Sequence, residues 1–320
     1  MTIQTNSMSD DIIEMGIQPH PSIGVECTTT SFSRFHDKYG LVCAYLFIVI
    51  NIASLGALMA LTFTEHGIDN DTLGKFWLNQ GIKYISIISV QLLCGIAVQK
   101  YNVKVNYTRK VMHIFYFVVP QLLDTELLPF EKNIFTEAWN ILIVFLVLSA
   151  TLQPLRSRFK LFQLLFKAID RPEDQPYTVF WFISQLFVSI VIISGFSILY
   201  QYLDIEHMIF IPLIILIVGD GLAEPVGTKW GVHKYNVKGF LVNRNYTRSV
   251  EGSLCVVIAS IGSIFIYYDE FNKNSISFTL ILLPLLETLT EAKAPHTWDN
   301  PLILLVGYII LLAAYYIGQS

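Results

Sequence analysis

Long apolar runs separated by short polar loops dominate the chain from Leu41 to its end. A helix rises about 1.5 Å per residue, so roughly 20 apolar residues cross the ~30 Å hydrocarbon layer of a membrane. On that basis spans are predicted over Leu41–Phe63, Ile82–Val98, Val111–Leu123, Ala138–Leu152 and Val179–Leu203. Four more follow over His207–Val226, Val250–Tyr268, Ile276–Leu289 and Leu302–Ile317, about nine in all. Val111–Leu123 is short and carries His113. Phe159–Ile169 has apolar residues at helical spacing with Lys160 and Lys167 between them, the pattern of an amphipathic helix lying on a membrane surface. Residues 1–36 are rich in Ser, Thr and Asp and lack a long apolar run, so they read as a disordered cytoplasmic tail ahead of a membrane-embedded domain, 37–320. Met1–Glu14 has neither the basic start nor the apolar core of a cleavable signal peptide.

Composition agrees with this pattern. Of 320 residues, 53% are hydrophobic and only 14% charged, against about 25% charged in soluble domains. The fold class expected is an all-α, polytopic integral membrane protein. The net charge of −4 offers no case for nucleic acid as a partner. Cys27, Cys43, Cys94 and Cys255 form no CxxC pair, which argues against a disulfide framework or zinc site.

When nine spans alternate sides, Lys75, Lys83, Lys132 and Lys273 fall on one side and the other 17 of the 21 Lys and Arg residues on the opposite one. The positive-inside rule makes that opposite side cytoplasmic. Asn106-Tyr-Thr and Asn245-Tyr-Thr then face the cytoplasm and are read as chance matches to a glycosylation acceptor, whereas Asn70-Asp-Thr lies outside.

Ionisable residues within a bilayer are costly, so each is a functional candidate. The densest group is Gly219-Asp-Gly-Leu-Ala-Glu-Pro-Val-Gly-Thr-Lys-Trp-Gly-Val-His-Lys234. Asp220 and Glu224 are four apart, which puts both carboxylates on one helix face. Pro225 and Gly219, Gly221, Gly227 and Gly231 predict that the helix breaks here and leaves amides exposed along a polar cavity. Paired carboxylates followed by Gly and Lys suit a magnesium–phosphate site; a glycine hinge with a buried ion pair is the alternative. Gly221 to Gly227 is one residue too long for a P-loop.

Three further clusters fall on the same predicted face. Arg109, Lys110 and His113 open the third span; a snorkelling basic flank would look the same. Arg248-Ser-Val-Glu-Gly-Ser253 opens the seventh span, where free amides and the helix dipole favour an anion, or where Ser249 is an ordinary N-cap. Glu287, Glu291, Asp299 and Asn300 bracket the turn between the last two spans.

Taken in order, Arg109-Lys-x-x-His113, Gly219-Asp-Gly-x-Ala-Glu-x-x-Gly227-x-x-x-Gly231, Lys234, Arg248-Ser-x-Glu-Gly-Ser253 and Glu287…Asp299-Asn300 resemble the polyprenol kinases: phytol, farnesol and dolichol kinases and the related CTP-dependent diacylglycerol kinases. The resemblance runs from about Tyr101 to the C-terminus and is nearer the phytol and farnesol branch. It implies CTP as phosphoryl donor, a divalent cation such as Mg2+, membrane lipids as surroundings and a lipid alcohol as acceptor. Asp220, with Glu224 or Asp299, would hold the metal; Asp299, or Asp220, would orient the alcohol. Gly221, Gly227, Lys229, Gly231, Lys234, Arg248, Ser249, Glu251, Gly252 and Ser253 would bind nucleotide, with Arg109, Lys110, His113, Glu287 and Asn300 around the rim. Arg248-Ser249 stands where many members have Lys-Ser, and Val237–Thr247 is longer than its counterparts. A diacylglycerol kinase, a phosphatidate cytidylyltransferase and an ion-coupled transporter are the other readings; the Lys/Asp-rich signature of the second and the internal repeat common in the third are not found.

Overall fold

The structure, a computed structural model, describes residues 31–64, 70–129, 134–240 and 245–319. The expected tail lies outside them up to residue 30, and helix α1 (Ser31–Thr64) takes in the remainder. Next come α2 (Asn70–Tyr101), α3 (Val105–Leu122), α4 (Ile134–Ala150), α5 (Gln153–Arg156), α6 (Lys160–Lys167) and α7 (Thr178–Tyr202). A composite helix follows, from α8 (Phe210–Ile214) through a π segment (Ile215–Asp220) into α9 (Gly221–Lys229). Strands β1 (Lys234–Lys238) and β2 (Asn245–Ser249) then pair before α10 (Val250–Ile266), α11 (Lys273–Lys293) and α12 (Asp299–Gln319) close the chain.

This is an all-α polytopic membrane architecture with one small hairpin. Six helical stretches among the described residues are long and apolar enough to cross a bilayer: Lys38–Thr62, Leu73–Tyr101, Thr178–Tyr202, Glu206–Lys229, Lys273–Lys293 and Asp299–Gln319. The other three predicted spans coincide with α3, α4 and α10, of 18, 17 and 17 residues. At 1.5 Å per residue these reach about 26 Å, at the lower limit for a crossing.

Apolar burial gives little driving force for association where the solvent is itself hydrocarbon, so close approach at small residues carries the packing. The C-terminal bundle shows this. Ile215 and Leu216 pack with Val256, Leu283, Ile303 and Leu304 in one buried cluster. Tyr200 ties the bundle by donating its hydroxyl to the Tyr308 carbonyl at 2.7 Å, and Tyr308 donates to the Ile209 carbonyl at 3.2 Å. A Cβ at Gly219 would lie 3.1 Å from the Val256 Cα, and one at Gly252 2.7 Å from the Ala223 carbonyl oxygen.

The predicted break after Asp220 does not occur: the run stays helical from Glu206 to Lys229. The irregularity takes the form of π winding over Ile215–Asp220 instead. Gly219 and Gly227 lie against α10 and its cap, whereas Gly221 packs against Ile114 of α3.

The amphipathic helix α6 lies on α2, where Gln91 Nε2 donates to the Leu165 carbonyl at 3.1 Å and the absent side chain of Gly95 makes room for the Leu164 carbonyl. The hairpin was not anticipated. Its strands alternate more and less exposed residues along Lys-Tyr-Asn-Val-Lys and Asn-Tyr-Thr-Arg-Ser, with Tyr235 opposite Arg248 and Asn236 opposite Thr247. The Val250 amide donates to the His233 carbonyl at 2.9 Å, and the Phe240 amide to the Lys293 carbonyl at 3.1 Å, pinning the hairpin to the ends of α10 and α11.

Candidate functional site

A cavity of about 320 Å³ opens between α9, the hairpin, the start of α10 and the end of α11. Helix α9 contributes Ala223, Glu224, Gly227 and Thr228; the hairpin contributes Lys234, Thr247, Arg248 and Ser249. Gly252 and Ser253 come from α10, and Glu291 and His296 from the far side. Glycine permits this meeting: a Cβ at Gly227 would sit 2.6 Å from Ser249 Oγ, and one at Gly231 would collide with the Gly227 carbonyl. Ser249 Oγ accepts from the Gly252 amide at 3.1 Å, so it caps α10 while lining the cavity.

Arg248 is held by the C-terminal end of α11, where orphan carbonyls and the negative end of the helix dipole favour a cation. Its Nε donates to the Ala292 carbonyl at 3.2 Å and its Nη2 to the Glu291 carbonyl at 3.0 Å. Nη1 lies 3.5 Å from Glu291 Oε1 and 3.2 Å from His296 Nε2. Burial first, then the Arg248 charge, holds the His296 pKa well below the ordinary imidazole range. A neutral ring can accept from the guanidinium that an imidazolium would repel.

Beside the cavity lies a chain of buried polar pairs. Glu224 Oε1 accepts from Asn106 Nδ2 at 2.6 Å, and Glu224 Oε2 is 3.7 Å from Arg171 Nη2. Arg109 pairs with Asp174 at 2.7 Å, and Lys110 with Asp220 at 2.7 Å. Gln185 Nε2 donates to Asp299 Oδ1 at 3.2 Å. Lys110 is within electrostatic reach of Asp299 and Glu224 as well as Asp220.

Of the residues singled out from sequence, Glu224, Gly227, Lys234, Arg248, Ser249, Gly252, Ser253 and Glu291 stand in the cavity wall. Arg109, Lys110, Asp220 and Asp299 stand in the adjoining network. His113 Nε2 is 3.2 Å from the Leu216 carbonyl, and Gly221 packs against Ile114. The remainder do not join. Lys229 places Nζ 4.9 Å over the Trp230 ring, and Glu251 engages the exposed His233 at 2.8 Å. Glu287 is fully buried inside the bundle next to Gly307, a turn deeper than Glu291. The backbone N–H of Asn300 donates to Asp299 Oδ1 at 2.9 Å.

Sequence reading missed Asn106, Arg171, Asp174, Gln185, Thr247 and His296. Asn106 was set aside as part of a chance acceptor motif, yet its amide holds Glu224, and Thr108 of the same triplet donates to the Ala168 carbonyl at 2.9 Å. The run Asp170-Arg-Pro-Glu-Asp174 was a visible signal: three acids and an arginine in one short loop.

Among the described residues no three His, Cys, Asp or Glu side chains converge to hold a metal ion. Glu224 nevertheless keeps one buried oxygen, Oε2, without a hydrogen-bond partner. That suits magnesium carried by phosphate, which takes only one or two protein carboxylates. Asp220 is already committed to Lys110.

Over 84 residues the chain is 37% identical to a phytol kinase of Synechocystis sp., a stretch that covers 26% of this chain and 32% of that relative. The chain thus matches about a third of the curated relative's length. No family model matches it, and no solved structure does. The likeness supports kinship with phytol kinase-like proteins over that stretch.

Proposed function

We propose that this protein is a membrane-embedded kinase that moves the γ-phosphoryl group of CTP onto the hydroxyl of a lipid alcohol of the phytol, farnesol or polyprenol type. The observation that carries the reading is the cavity in which Arg248, Lys234 and Glu224, from three separate elements, meet at the ends of membrane helices. The local likeness to a phytol kinase supports it.

In this reading Arg248 and Lys234 bind the triphosphate, assisted by Ser253 and the Gly252 backbone. Phosphoryl transfer asks the protein mainly for position and for stabilised charge, which fixed cations supply. Glu224 would hold Mg2+, with Asp220 sharing the ion by giving up Lys110. Bound there, magnesium would neutralise charge on the phosphate oxygens. Asp299, oriented by Gln185 and the Asn300 amide, accepts the alcohol proton as the alcohol oxygen bonds to the γ-phosphorus. The bond from that phosphorus to its bridging oxygen breaks, giving a lipid monophosphate and CDP. The apolar helices hold the tail, and the site faces the cytoplasm.

The test is direct. Purified protein in detergent with Mg2+ and γ-labelled CTP is offered phytol, farnesol, a long polyprenol and diacylglycerol. Label should appear in a prenyl monophosphate and vanish in Arg248→Met. Absence of transfer to every alcohol, with no thermal stabilisation by nucleotide, would sink the reading and favour a transporter.

A further inference from the structure

One ion pair of the network differs from its neighbours. Arg109–Asp174 and Lys110–Asp220 are closed at 2.7 Å. Arg171 and Glu224 stop at 3.7 Å, within ion-pair range but beyond a hydrogen bond. Both side chains are largely buried, at 6% and 15% exposure. Arg171 Nε and Glu224 Oε2 are each buried without a hydrogen-bond partner. A guanidinium nitrogen and a carboxylate oxygen buried without a hydrogen-bond partner are costly unless a ligand completes them. Glu224 lines the cavity, so the pair adjoins it. Arg171 comes from the Asp170–Asp174 loop and not from any of the elements carrying Arg248 or Lys234.

Building on the kinase reading, we propose that Arg171 is a further phosphate-binding cation, parked against Glu224 until nucleotide arrives. On binding, the guanidinium turns its fork to phosphate oxygens, for which its planar donors are well suited. Glu224 is released to the magnesium that the same phosphates carry. One movement therefore couples the anion to its cation: either ligand alone leaves half of the pair unpartnered, and the two together complete both halves.

The experiment uses the full chain in detergent, with Arg171→Gln and Arg171→Lys beside the wild type. A hydrogen bond to a charged group corresponds to roughly ten- to a hundred-fold in affinity. Arg171→Gln should raise the KM for CTP about that much with a smaller change in kcat, and should shrink the thermal shift given by CTP with Mg2+. Arg171→Lys, which keeps the charge but loses the fork, should recover part of each. Wild-type KM and thermal shift in both variants would overturn the assignment. So would a lowered Tm in both with KM unchanged, the mark of a structural pair. Should Arg171→Gln fail to fold, the Lys variant decides alone: an unchanged KM in it counts against the fork. Should wild-type protein transfer no label at all, the kinase reading falls. Thermal shifts with inorganic pyrophosphate and Mg2+ then still decide whether Arg171 binds phosphate.

Discussion

Among the described residues, two buried polar clusters are built to different ends. In the first, Lys83 on α2 pairs with Asp124 and donates to Asn140 Oδ1 at 2.9 Å, while Asn79 Nδ2 donates to Asp124 Oδ1 and to the Leu128 carbonyl, each at 3.0 Å. Its open atoms are neutral amide oxygens, of Asn79 and Gln80. In the second, around Glu224, the open atoms belong to charged groups, and a cavity lies beside them. Two residues before Asn79 and one before Asn140 in sequence, Trp77 and Trp139 meet edge to face at 4.8 Å. A buried charge is tolerated in either setting only when paired. Pairing that leaves no charged atom open makes a joint between helices; pairing that leaves one open makes a place for a ligand.

Exchanging one carboxylate in the second cluster tests that distinction most severely. Glu224→Gln keeps shape and the Asn106 contact but removes the charge that would hold the metal. Turnover should fall by about 10²–10³-fold, the scale set by losing one aligned electrostatic group, with the folded yield retained. Label transfer at saturating Mg2+ measures it, and near-wild-type kcat would return the cluster to the structural class.

The opposite result is expected at Lys83. Lys83→Met strands Asp124 and should cost about 3–5 kcal/mol of stability, read by thermal or denaturant unfolding in detergent, with turnover per folded molecule unchanged. The double variant Lys83→Met/Asp124→Leu removes both charges and should recover most of that loss. A specific activity that falls with Lys83 would give the first cluster a functional part.

What the sequence disclosed and what it hid follow the same division. Helices were legible because apolar runs report lipid contact wherever they lie, and so Asp220, Glu224 and Asp299 stood out against them. The span count was less legible: α4 and α10 are largely apolar but only 17 residues each, and hydropathy does not distinguish a full crossing from a helix that stops short. Gly227, Gly231 and Gly252 were noticed as candidates for phosphate contact. Their reason is steric and depends on which helix lies opposite, which no local pattern reveals. Asn106, Arg171 and Gln185 sit 118, 53 and 114 residues from the acids they meet, and pairing across such separations has no signature in a single chain. The hairpin's period-two alternation is visible yet runs only five residues in each strand, too short to stand out within a polar loop.

The steric reading of those glycines can be broken next. Gly252→Ala would press a methyl to 2.7 Å from the Ala223 carbonyl oxygen. Forcing α9 from α10 should cost about 1–3 kcal/mol and weaken CTP binding, because Glu224 and Arg248 stand on opposite sides of that contact. Thermal unfolding with and without nucleotide separates the two effects, and a stable variant with wild-type affinity would mean the helices yield freely.

The smallest change falls on Ser249, where joint and site share one hydroxyl. Ser249→Ala deletes the cap that accepts from the Gly252 amide and should cost about 1 kcal/mol. Ser249→Thr keeps the cap but adds a methyl where the Ser249 Cβ and Oγ already bound the space above Gly227 and Gly231. If capping were all Ser249 does, Thr would restore stability. If the close approach of α9 matters as the glycines imply, Thr should be no better than Ala in thermal unfolding and worse in CTP affinity, since its methyl lies against the cavity wall. A Thr variant that matches wild type in both measurements would show that α9 and α10 have room to spare, and the contrast between a packed joint and an open site would fail at the place where the two meet.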